Sequence, residues 1–71
     1  MSAKTIDGRF FEESFEWSYR MTLTPMWVYA ETSAGAITLR VELPATTPPA
    51  KAVSMLRSLV ISYYGYERER R

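Results

Sequence analysis

A chain of 71 residues with nine Lys or Arg, eight Asp or Glu, no Cys and no His is short enough for one domain and nearly balanced in charge. Those missing types exclude a Ser-His-Asp triad, a cysteine nucleophile, a CxxC redox pair and any zinc site built on thiolate or imidazole. Three scattered glycines cannot make a phosphate-cradling loop, and so thin a core leaves little volume for a catalytic cleft, so a non-enzymatic protein with no cofactor and no metal is expected.

Residues 1–9 are small and polar, with Asp7-Gly8 as a turn signal, and are expected as an arm ordered by docking. Phe15, Trp17, Tyr19, Met21 and Leu23 then alternate with Glu16, Ser18, Arg20, Thr22 and Thr24, which predicts a half-buried strand near 14–24. A competing pattern exists upstream. Phe11, Phe15 and Tyr19 recur every four residues behind a possible Asp7 cap, which would make residues 10–20 a helix and the element order α-β-β-α.

Pro25 removes a ladder donor and belongs at a bend. A second strand is expected near 26–32, apolar on both faces, with Trp27 and Tyr29 on one side and Met26, Val28 and Ala30 on the other. Ser33-Ala34-Gly35 supplies a turn, and Ile37, Leu39, Val41 and Leu43 alternate with polar residues in a strand near 36–43. After the Pro-rich connector 44–49, Thr47 as cap and Pro48 in the first turn open a helix near 48–64. Ala52, Val53, Leu56, Leu59, Val60 and Tyr63 give it an apolar stripe, Gly65 is the expected stop, and 66–71 a charged tail. The expected fold is therefore α+β: one domain over 1–71, with a three-stranded antiparallel sheet and one C-terminal helix packed across it.

Ten of the 71 residues are aromatic, and one helix covers only one face of a sheet. The surplus points to a binding surface, because interface centres are enriched in aromatics and methionine. Trp27 and Tyr29 are the expected anchors, with Met55, Ile61, Tyr64 and Tyr66 as a second patch along the helix. The partner implied is another protein, a second copy of the chain, or both. The chain has the scale of the small inhibitors of phage and mobile elements that block a host protein by surface occlusion, an analogy of size and architecture without a residue motif behind it. The alternative is a nucleic-acid-binding domain that uses the open sheet face, with Arg20, Arg40, Arg68, Arg70 and Arg71 as contacts. A net charge of +1 weighs against it. The longest apolar run, Met26–Ala30, is far too short for a membrane span, and no signal peptide is readable, so a cytoplasmic protein is expected.

Overall fold

The computed structural model of the chain describes residues 3–69. Four strands precede one helix: β1 (Lys4–Glu12), β2 (Phe15–Leu23), β3 (Trp27–Ala34), β4 (Ile37–Pro44) and α1 (Pro49–Glu69). The strands form an antiparallel meander in the order β1-β2-β3-β4. The fold is α+β as expected, but its sheet has four strands. The expected three-stranded sheet is corrected by β1, which occupies part of the segment read as an arm and pairs with β2 from Lys4↔Leu23 to Glu12↔Phe15. The α-β-β-α order falls with it, because residues 10–20 lie in β1, β2 and the turn between them.

Each connection follows from its residues. Glu13 and Ser14 close the β1–β2 hairpin with φ of 54° and 70°, the two left-handed positions of a type I′ turn. Gly35 takes φ 60° in the two-residue loop between the paired Ala34 and Ile37. Between β2 and β3 the Thr24 hydroxyl organises the bend at Pro25. It accepts the N–H groups of Met26 (3.2 Å) and Trp27 (2.9 Å) and donates to the Trp27 carbonyl at 3.1 Å. This closure delivers Trp27 to the start of β3.

The inner sheet face meets α1. Phe10, Trp17, Met21, Val28, Ala30 and Leu43 are buried against Ala52, Leu56 and Val60, which recur every four residues along one line of the helix. Trp17 is fully buried and meets the Tyr64 ring edge-on, with centroids 6.3 Å apart. Thr32 is the buried polar residue of this face, and its hydroxyl donates to the Ser18 carbonyl at 2.8 Å. The helix begins one residue later than expected. The Pro48 carbonyl accepts from Lys51 and Ala52, so Pro48 occupies the cap position instead of Thr47, and Pro49 opens the first turn. Gly65 does not stop it, and the helix runs on through part of the segment read as a tail.

Candidate functional site

The sheet face turned away from α1 is where chemistry-bearing side chains gather. Strand register places Asp7, Arg20, Glu31 and Arg40 directly across from one another, one from each strand. The row alternates in sign. Arg20 donates from Nε to Asp7 Oδ1 at 2.7 Å and from a terminal nitrogen to Oδ2 at 3.3 Å, a two-pronged pairing. Arg40 approaches Glu31 at 3.7 Å, and Arg9 donates to Glu16 at 2.9 Å beside the row. The guanidinium hydrogen-bonded to Asp7 holds its carboxyl below the usual carboxylate range, and the same pairing raises Arg20 further above its ordinary value. An open depression of about 530 Å³ lies over Asp7, Arg9, Ser18, Arg20, Glu31 and Ser33.

Trp27 and Tyr29 stand two residues apart on this face, 41% and 44% exposed, while their neighbours Val28 and Ala30 point into the core. Thr22 and Glu42 flank Tyr29 across the neighbouring strands, and Pro44 faces Trp27. The 69%-exposed Met26 precedes the pair in the bend. An aromatic patch therefore borders a charge-paired row.

The second group of expected residues is not brought together. Tyr64 is half-buried, stacked on Phe15 at 6.3 Å and edge-on to Trp17, and holds the helix to the sheet. Met55 is half-buried against the core. At 100° per residue Met55 and Tyr66 fall on the flank opposite Tyr64, and the exposed Ile61 faces away from the sheet. These four do not make one patch.

The arginines proposed for nucleic acid already have partners. Arg20 and Arg40 pair across strands, and Arg68 reaches Glu13 at 3.4 Å. Arg70 and Arg71 lie outside the described residues. On the outer face three arginines, Arg9, Arg20 and Arg40, stand among four carboxylates, Asp7, Glu16, Glu31 and Glu42.

The sequence alone gives Arg57 no role beyond the helix surface. Its guanidinium lies over the Phe10 ring, 5.6 Å from the centroid, and pairs with Glu12 at 3.0 Å. Its position beside the helix stripe is readable, but its target is not, because Gly8 interrupts the apolar alternation that would mark β1. Phe11 and Phe15 were also missed as exposed aromatics at the β1–β2 hairpin end. Among the described residues no helix is long and apolar enough to cross a membrane. Comparison with protein-family models, with curated proteins and with solved structures yields no match to this chain.

Proposed function

We propose that this chain is a non-enzymatic protein-binding module whose partner docks on the outer sheet face, with Trp27 and Tyr29 as anchors. The observation that carries this reading is the pair of large aromatics held side by side, each more than two-fifths exposed, on a paired strand at the mouth of a hydrogen-bonded turn. Aromatics on a fixed strand lose little conformational freedom on binding and bury large areas, which makes them effective anchors. Arg20, Glu31 and Arg40 form a polar rim that orients the partner. A module of this kind acts by covering a partner's surface, the mode of a small inhibitor, and a cytoplasmic setting suits a chain without cysteines.

Protein is favoured over nucleic acid by the charge of the face itself. Carboxylates outnumber arginines there, and each of its arginines pairs with a carboxylate of the same chain. A phosphate backbone would have to displace those pairs before gaining any contact. Affinity capture from the source cell's lysate tests the reading, with nuclease present or absent and with the unaltered chain or the Trp27→Ala/Tyr29→Ala variant as bait. The expected result is a stoichiometric protein that survives nuclease and is lost with the double variant. Recovery that disappears with nuclease, or that ignores both aromatics, would overturn it.

A further inference from the structure

Both outer strands of the sheet end in an open edge, and the two edges differ. The edge strand β1 turns Lys4, Gly8 and Glu12 toward the inner layer, charged or absent side chains where an added strand would need apolar cover. β4 carries none of those defences between Ile37 and Leu43: no proline, no glycine, no lysine and no inward charge. Its inward side chains Ile37, Leu39 and Val41 are only partly buried, although they pack on the core. The helix flank opposite Arg57, Tyr64 and Arg68, which grip the β1–β2 hairpin, carries Met55 and Leu59, also partly buried. The apolar inner layer is therefore unfinished along β4.

The charges on β4 say what finishes it. The turn at Gly35 bonds Ala34 to Ile37, so the even-numbered residues Thr38, Arg40 and Glu42 turn their N–H and C=O groups toward the free edge. Arg40 and Glu42 sit two residues apart on the outer face. Antiparallel pairing of β4 with its own copy, centred on Val41, puts each Arg40 opposite Glu42 of the second copy. Both ion pairs then form within the hydrogen-bonded ladder. On the inner face, Val41 meets Val41 of the second copy and Leu39 meets Leu43 of the second copy. Neighbouring registers are worse. Centring on Arg40 sets like charges face to face, and centring on Leu39 leaves Arg40 against Thr38.

We propose that two copies of this chain join β4 to β4 about a two-fold axis through Val41, making one eight-stranded antiparallel sheet with both helices on the same side. The interface lies on the β4 edge and helix flank and leaves Trp27 and Tyr29 uncovered. It shares Arg40 with the rim of that patch, so Trp27→Ala, which leaves β4 unaltered, separates the two readings.

The native chain has no cysteine, so a single introduced thiol reports position without interference. Val41→Cys places two thiols opposite each other at a pair that exchanges no backbone hydrogen bonds, where β-carbons approach closely. Mild oxidation is expected to yield a covalent dimer of twice the 8.2 kDa chain mass. Leu39→Cys, whose opposite residue is Leu43, is expected to cross-link at least tenfold less. In light scattering, the unaltered chain and Trp27→Ala are expected at dimer mass. Arg40→Glu and Glu42→Arg are each expected to shift toward monomer, and the double exchange to restore the dimer. Circular dichroism distinguishes a folded monomer from an unfolded variant. A monomer mass for the unaltered chain at high concentration would overturn the proposal. Equal cross-linking at positions 39 and 41, or failure of the double exchange to rescue a folded chain, would do the same.

Discussion

Gly8 shows how one residue hid a strand. Ile6, Gly8 and Phe10 all face inward on β1, but the glycine interrupts what would otherwise be an alternating apolar pattern. Its missing side chain is replaced from the neighbouring strand. Tyr19 lies directly opposite, its phenol fills the space a Gly8 Cβ would occupy, and its ring stacks on Phe10 at 6.2 Å. An aromatic laid over an edge glycine restores the buried area that glycine lacks. Gly8→Ala should therefore destabilise the fold by about 1–2 kcal/mol in chemical denaturation, by pushing the ring off its stack. With Tyr19→Ala already present the same change should stabilise by about 0.5 kcal/mol, since alanine then brings only its lower backbone entropy cost. A destabilising Gly8→Ala in both backgrounds would refute the pairing. The Asp7–Arg20 pair is legible by titration. The Asp7 carboxyl should titrate below the usual carboxylate range by NMR and return to it in Arg20→Gln. Its depressed value means that its contribution to stability is complete above the ordinary carboxylate pKa and is lost as pH falls through the lowered one.

At the scale of elements, strands with ordinary turn chemistry were readable and the one with unusual turn chemistry was not. Gly35 announces its hairpin, and the alternation from Phe15 to Leu23 and from Ile37 to Leu43 identifies β2 and β4 closely. The β1–β2 turn uses Glu13 and Ser14 at positive φ, where asparagine and glycine are the usual choices, so the sequence carries no turn signal there. Left-handed backbone is strained for both residues, and Ser14→Gly should raise stability by about 0.5–1 kcal/mol without moving the hairpin, measured by thermal or denaturant unfolding. The turn is held in part from outside, by Arg68 on Glu13, while Arg57 on Glu12 and Phe10 ties α1 to β1 one residue earlier. These long-range contacts join residues up to 55 positions apart, so no local pattern announces them. Arg57→Ala should cost about 1–2 kcal/mol, combining a partly screened ion pair with lost stacking. Arg57→Lys should recover only part of it, because an ammonium pairs with Glu12 but does not lie flat on Phe10. Equal stability of the lysine variant and the native chain would show that the ring contact contributes nothing.

For the molecule as a whole, the described residues span 46 Å by 19 Å by 19 Å, an elongated body in which one helix cannot enclose a four-stranded sheet. The aromatic surplus in the sequence pointed to an uncovered surface. With both sides of 26–30 apolar, the sequence left open whether Trp27 and Tyr29 or Met26 and Val28 face outward, and burial of Val28 and Ala30 against α1 decides it. The charge pairing on that surface was not legible, since Asp7 and Glu31 meet Arg20 and Arg40 only once four strands are in register. Joined through β4, two copies would present both Trp27–Tyr29 patches on one side of a continuous sheet, giving a repeated or two-fold partner the gain of divalent attachment. Internal neutralisation then sets how binding responds to salt. A ligand held by six or more phosphate contacts loses about 10³-fold or more in affinity between 50 and 200 mM salt. A protein docked on Trp27 and Tyr29 releases few counterions, because the rim arginines are already paired, and its affinity should change by less than about fivefold over that range. Trp27→Ala should weaken it by about 2 kcal/mol or more, roughly thirtyfold, at either salt concentration. Calorimetry or fluorescence titration against the captured partner checks both figures. A steep salt slope that flattens in Arg20→Ala, with Trp27→Ala silent, would instead place the binding energy in the charged row.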